Sequence, residues 1–418
     1  MSDRDATQGP LAGIRVLDLT AVVLGPLTTQ ILGDYGADVI KVESLEGDLM
    51  RPARPYRQPG MGATFLSINR NKRSVAIDLK TPEGAAAISR LIPKVDALVH
   101  NMRVPAIEKL GFGYEQVRKL NPSIVYCAAT GFGQQGPHWE RPAFDDIIQA
   151  ACGLVDLNRL GKGDPDYTPT LIADKTVGVA MVNAVLAALL HRARTGQGQY
   201  VEVPMFETMV SFMLAEHLGG LSFEPSVQKA GYGRLLTGGR RPSPTEDGFI
   251  AILPYTPVQW TTFFHGSGRD DLAAHFRVDD RDQLNGNISK MYAEMYRITP
   301  TRTTEQWMEF CDSNDIPATP IYSLDELPEH PHLQAVGLFE SADHPHVGRI
   351  RYVNPPALFS QTPASVRRHA PLLGEHTAEV LREVGLDDDE IAELVRRNIA
   401  LLADVKFNET KYPVPASP

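Results

Sequence analysis

Residues 13–44 read GIRVLDLTAVVLGPLTTQILGDYGADVIKVES, and this stretch decides the fold. The run at 13–20 is apolar and strand-like, Gly25-Pro26 opens a helical segment that Gly36 closes, and 38–43 forms a second apolar run. Strand, helix and strand in succession make one βαβ unit. Moving outward, the pattern recurs. A strand is expected at 74–79, then Thr81 as a helix cap with Pro82 in the first turn and a helix to about Leu91. A strand at 96–99, a helix over 106–120 and a strand at 124–128 follow. Strands alternating with helices, with no hairpin turns between them, predict a doubly wound, mainly parallel α/β sheet covered on both faces. No strand runs into G-x-G-x-x-G, so only the strand order itself would recommend a nicotinamide or flavin dinucleotide.

At 418 residues the chain suits two domains rather than one. The larger α/β part occupies 10–220, a smaller α/β domain 230–325, where Gly and Pro thicken and 248–253 reads as a strand, and a C-terminal segment at 330–405 returns to the first domain. That last segment holds a strand-like run at 350–353 and a helical run over 376–400. Hydrophobic residues make up 43% and charged residues 22%, an ordinary globular composition. The net charge of −10, from 41 basic and 51 acidic residues, disfavours a duplex nucleic acid as partner. Cys127, Cys152 and Cys311 are scattered, without a CxxC pair, which argues for a reducing compartment and against a zinc or disulfide framework. Residues 1–10 are polar and lack the basic-then-apolar order of a signal peptide, and 408–418 read as a tail. The most apolar stretch, 177–190, is shorter than the ~20 residues of a membrane span and reads as a buried core helix. A cytoplasmic protein with no membrane partner is expected.

From Pro169 the chain reads PTLIADKTVGVAMVNAVLAALLHRARTGQGQYVEVPM, a long apolar helix with Asp174 at its start, a glycine turn at Gly196 and Gly198, then a strand. An Asp in that place is ordinarily a cap that accepts backbone N–H bonds. The cationic run Arg70, Lys72 and Arg73 in NRNKRS is ordinarily a solvated turn.

Six separated blocks carry a resemblance that changes both readings. They are GIRVLDLTAVVLGP at 13–26, GADVIKVES at 36–44, NRNKRSVAIDLKTPEG at 69–84, TGFGQQGP at 130–137, IADKTVG through RTGQGQYVEV at 172–203, and PLLGEHT at 371–377. Together and in order they resemble the class III CoA-transferase family (CaiB/BaiF, formyl-CoA transferase-like). The resemblance implies an interlocked homodimer, coenzyme A as substrate rather than as a tightly bound cofactor, and an acyl-CoA and a free carboxylic acid as partners. It assigns Asp174 as the nucleophile that attacks the thioester. It also implies CoA contacts at Val22, Val23 and Leu24 after the first strand, at Asn101 and Met102 after the fourth, and at Lys109, which stands where the family has an arginine.

CoA carries a pyrophosphate and a 3′-phosphate, so an acidic protein must offer local cations, and Arg70, Lys72 and Arg73 are the candidates. Gly238-Gly239 falls where relatives carry a glycine-rich loop over the site. A carboxylate is a weak nucleophile in water and needs a largely dry pocket with the acyl carbon held close. Donors for each tetrahedral oxyanion could come from N–H groups in glycine turns or at the start of the Asp174 helix.

Three rival readings remain open at this level. An α-methylacyl-CoA racemase of the same fold needs a Gly-His-Asp motif, but PAFDDIIQ puts Phe144 in the histidine position. A nucleotide-dependent oxidoreductase lacks the glycine fingerprint, and a non-catalytic acyl-CoA binder would not need the charge of Asp174. Some formyl-CoA transferases carry glutamine where Val23 stands, which weighs against formate or oxalate. Arg240-Arg241 and the aromatic run at 255–260 are the only further hints to the acid.

Overall fold

The computed structural model describes residues 9–236 and 240–403, so Gly238-Gly239, the first eight residues and the tail at 408–418 lie outside the described residues. The chain divides into two compact units. One takes residues up to Cys152, Pro169–Phe212 and the part from Pro331 onward, and the other takes Gly153–Thr168 and Met213–His330.

The first unit is built on six parallel strands: β1 (Arg15–Leu19), β2 (Asp38–Glu43), β3 (Lys72–Ile77), β4 (Ala97–His100), β5 (Val125–Thr130) and β6 (Gln199–Pro204). Their order across the sheet is β3-β2-β1-β4-β5-β6, and a short strand, Ala400–Leu401, closes the β3 edge antiparallel. Val16 pairs with Val39 on one side and with Ala97 on the other. The winding therefore reverses between β1 and β4, and a ligand crevice opens at such a reversal beyond the carboxyl ends of the strands. Both faces are dry. Leu17, Leu19, Ile40, Val42 and Leu98 join one core with the helices Pro82–Ser89, Thr377–Glu383 and Asp388–Arg396. On the other face the helix Leu24–Asp34 packs along the helix Ile172–Thr195, which contains the apolar run at 177–190.

Those two helices approach closely because residue 178 is glycine. A Cβ there would stand 2.9 Å from the Leu24 carbonyl oxygen, and the Thr28 hydroxyl donates to the Gly178 carbonyl at 2.9 Å. This contact lies one helical turn beyond Asp174 and ties the start of its helix to the end of the β1 loop.

Three local expectations change. The helix expected over 106–120 breaks into Val104–Lys109 and Tyr114–Leu120, because Gly111 takes φ +87° and ends the first piece. The helical run at 376–400 likewise divides at Gly385, φ +87°. The strand at 350–353 belongs to an antiparallel hairpin, Phe339–His344 with Gly348–Val353, which the reading without hairpins did not include.

The second unit carries a small antiparallel sheet of Ser243–Pro244, Phe249–Ile252 and Ala318–Pro320 and an aromatic core of Trp260, Phe263, Phe264, Tyr292 and Trp307. Trp260 is fully buried in that core, and the Arg241 guanidinium lies 3.9 Å from the centre of the Tyr296 ring. Packing thus accounts for Trp260 and stacking for Arg241.

Candidate active site

The loop after β1 is held in a costly conformation. Val22 has φ +72°, a left-handed backbone that a β-branched residue adopts only under constraint, at about 1–3 kcal/mol. Three side chains impose it. The Ala21 N–H donates to Asn101 Oδ1 at 2.9 Å and Asn101 Nδ2 donates back to the Ala21 carbonyl at 2.8 Å. Val22 N–H donates to Asp48 Oδ1 at 3.2 Å, and Lys41 Nζ spans the Thr20 carbonyl at 2.8 Å and Asp48 Oδ2 at 2.9 Å. Asn101 thus spends its amide on shaping the loop. Val23 and Leu24 are buried behind Val22, at the start of the Leu24–Asp34 helix.

Asp174 sits in the first turn of its helix and is 8% exposed. Its backbone N–H donates to Asp145 Oδ2 at 2.9 Å, and no hydrogen bond reaches its own carboxylate among the described residues. Burial, and after it the Asp145 charge, push its carboxyl up from 3.8 to about 6. This is not the signature of a cap, which would be hydrogen-bonded and acidified. Asp145 does the capping, so the Asp174 N–H, one of the oxyanion donors expected from sequence, is already engaged.

Asp174 lines a cleft of about 280 Å³ with Val22, Val23 and Leu24, with Asn101, Met102 and Arg103, with Arg141 and Phe144, and with Met205. Six residues expected from sequence, Asp174 among them, are therefore brought together at the reversal of the sheet. A second cavity of about 260 Å³ shares Ala21 and Met102 with the first and continues past Leu79, Lys80 and Leu110. Lys109 is exposed beside Leu110. A larger cavity, about 810 Å³, lies against the hairpin and shares no lining residue with the Asp174 cleft. The carboxylate and the topology both favour the smaller cleft as the reactive one.

The cationic run is corrected. Lys72 is fully buried and donates to Asp18 Oδ2 at 3.1 Å, the Pro26 carbonyl at 2.9 Å and Asn69 Oδ1 at 2.9 Å, which fills its three protons. Arg73 is gripped by Asp38, Glu379 and Glu383, at 2.6, 2.9 and 2.5 Å. Arg70 pairs with Asp34 at 2.7 Å and donates to the Val353 carbonyl, and although it borders the 810 Å³ cavity its charge is spent on Asp34. All three charges are neutralised inside the fold, so the phosphate role expected for them is withdrawn.

Sequence reading passed over Asp145, Arg141, Arg103 and Lys80. Each had a signal: Asp145 and Arg141 stand in and beside the stretch inspected for a histidine, Arg103 follows Asn101-Met102, and Lys80 lies inside the NRNKRSVAIDLKTPEG block.

A parallel sheet reversed between β1 and β4, with a buried carboxylate on the wall of the crevice, is the arrangement of a ligand-binding α/β fold with a charged side chain set at the site. The family model for CoA-transferase family III matches residues 11–377, and the chain belongs to that family. A succinate–glutarate CoA-transferase of Agrobacterium fabrum is 33% identical over 92% of this chain and 98% of its own length. The succinyl-CoA:glutarate CoA-transferase of Mus musculus is 32% identical over 92% of this chain and 88% of its own. The crystal structure of a CaiB/BaiF family protein from Brucella suis matches with a TM-score of 0.78 at 29% identity, covering 90% of this chain and all of that one. The protein is thus a CoA-transferase by family.

Proposed function

We propose that the protein moves coenzyme A between two carboxylic acids through covalent intermediates on Asp174. The observation that carries this is a buried carboxylate, free of hydrogen bonds among the described residues, at the wall of a cleft formed by the loops after β1 and β4. One Asp174 oxygen attacks the thioester carbon, the C–S bond breaks, and CoA leaves as thiolate from a mixed anhydride. The retained thiolate then attacks the aspartyl carbonyl, releases the first acid as its carboxylate, and leaves an aspartyl-CoA thioester. The second acid attacks the thioester carbonyl to form a new anhydride, and thiolate attack on its acyl carbon yields the new acyl-CoA and restores Asp174. Thioester energy is kept throughout. Phe144 has no transferable proton, which separates this cleft from that of a racemase.

In this reading the thioester end of the substrate lies in the Asp174 cleft and the chain of CoA follows the shared wall at Ala21 and Met102 into the second cavity. Lys80, which lines that cavity, and Lys109, exposed next to Leu110 of its wall, then meet phosphate. Replacing both with alanine should weaken CoA binding roughly tenfold, with added salt erasing much of the difference. Calorimetric titration that shows parental affinity at low salt would remove them from the site.

The relatives act, by their names, on succinate and glutarate. A C4 or C5 dicarboxylate pair is accordingly the proposed substrate class, with Arg103 and Arg141 the cations in the cleft. Incubation with a panel of acyl-CoA donors and free acids, followed by mass, tests it: exchange only among monocarboxylates would exclude this class. The reading also takes the protein as a cytoplasmic homodimer. Val179 and Leu190 on the Asp174 helix are 49% and 61% exposed, an apolar face that a second copy would cover. Sedimentation on dilution should show no folded monomer.

A further inference from the structure

An acid in the first turn of a helix normally folds back onto the N–H groups that the turn leaves unpaired. Asp174 does not, because another acid occupies that position. Asp145, in the first turn of the helix Asp145–Ala151, reaches across with Oδ2 to the Asp174 N–H at 2.9 Å. Its second oxygen, Oδ1, accepts from Gln149 Nε2 at 2.6 Å, one turn further along its own helix. Gln149 also donates to the Thr170 carbonyl at 3.4 Å, just ahead of the Asp174 helix. Asp145 is 4% exposed and Gln149 1%, so neither bond is shared with bulk water.

We propose that Asp145, oriented by Gln149, is a positioning residue that takes over the helix cap and so leaves the Asp174 carboxylate unpaired for attack. This rests on the reading of Asp174 as the nucleophile. Two consequences follow from the geometry. A carboxylate that accepts no hydrogen bonds keeps its lone pairs available, whereas one folded onto its own helix would have to give up that bonding before reaching the acyl carbon. The pair also carries two like charges in a dry site while the enzyme rests. Acylation turns the Asp174 carboxylate into a neutral anhydride or thioester, which removes the repulsion, so the Asp145 charge favours the covalent state over the resting one. The carboxylate at position 145 thus acts on the reaction without touching substrate.

Other charged groups near Asp174 are few. Arg103 and Arg141 line the cleft, Asp146 is exposed beside Asp145, and Lys175 donates from Nζ to the Thr170 hydroxyl at 2.6 Å. Exchanging Asp145 for asparagine removes one charge from this set and keeps the size and an acceptor for the Asp174 N–H.

The test is the pH dependence of single-turnover acylation, measured as hydroxamate formed at Asp174 with succinyl-CoA and hydroxylamine, in the full chain and in Asp145→Asn. The parent's acid limb should lie near pH 6. In Asp145→Asn it should fall by up to about one pH unit, and kcat should fall roughly 10- to 100-fold while KM for succinyl-CoA changes by less than about threefold. Gln149→Leu, which leaves the Asp145 charge but frees its carboxylate to swing, should lower kcat with a smaller displacement of the limb. If the asparagine variant forms hydroxamate at Asp174 at the parental rate with an unmoved limb, or loses rate only in proportion to its folded fraction by circular dichroism, Asp145 is merely a cap. Absence of any hydroxamate at Asp174 in the parent is a separate result that removes the nucleophile reading itself.

Discussion

Asp174→Asn is expected to reduce thioester exchange by about 10³-fold or more without loss of the fold. Asparagine matches aspartate in size, and the Asp174 N–H keeps its bond to Asp145, because that bond uses the backbone. The carboxylate makes no hydrogen bond that the amide would lose. Its charge is in fact a burden to the folded state, since the carboxyl is raised to about 6 from 3.8 by burial and by Asp145. The sign follows directly. A carboxyl with a folded pKa above its unfolded value destabilises the fold once pH exceeds the unfolded value, and the cost is complete above the folded one. At pH 7 the asparagine variant should therefore unfold at the same temperature as the parent or a few degrees higher. The same titration sets an acid limb on activity, because only the ionised form attacks: exchange by the parent should fall to half near pH 6 and decline below it. Hydroxylamine added during turnover should convert Asp174 to a hydroxamate in a peptide containing LIADK, since acyl anhydrides and thioesters react with that amine and a resting carboxylate does not. A variant that keeps near-parental exchange, or a parent that shows no modification at Asp174, would sink the mechanism.

What could be read from the chain, and what could not, divides along physical lines. The βαβ units at residues 13–44 and beyond were legible because apolar runs bounded by Gly and Pro encode strands and helices locally. Strand order was not legible, because such units are compatible with several orders, and the reversal between β1 and β4 appears only in the folded sheet. The broken helix at Gly111 was hidden because a glycine within a periodic run is compatible with either outcome until its φ is known. The cationic run failed for another reason. Arg70, Lys72 and Arg73 find their acids 36, 54 and 35 residues away, and Arg73 also takes partners 306 and 310 residues distant. Nothing in a basic turn tells whether a distant carboxylate or a phosphate will neutralise it. The same holds for Asp145, 29 residues before Asp174, whose role exists only once two helix starts are brought together.

The buried pair beneath that turn gives the largest expected effect on stability. Lys72→Met should cost about 3 kcal/mol, near the low end for breaking a buried ion pair. Methionine fills the space, but Asp18, itself fully buried, loses its closest cation. Although burial pushes the Asp18 carboxyl up, Lys72 and Lys41 together with the Thr20 and Thr29 hydroxyls hold it below the usual carboxylate range in the parent. Lys41 and the two hydroxyls remain, which is why the full penalty of an uncompensated charge is not reached. Burial draws the Lys72 ammonium down to about 8, yet its three acceptors keep it protonated at neutral pH, and the ionised pair is the state being broken. Adding Asp18→Asn to Lys72→Met should recover part of the loss, a coupling that a double-mutant cycle in urea would measure. A phosphate-binding lysine would behave in the opposite way, with unfolding unchanged and CoA affinity reduced. The outcome that overturns the structural role is therefore specific: a Lys72→Met protein with the parent's urea midpoint and a CoA dissociation constant raised tenfold or more.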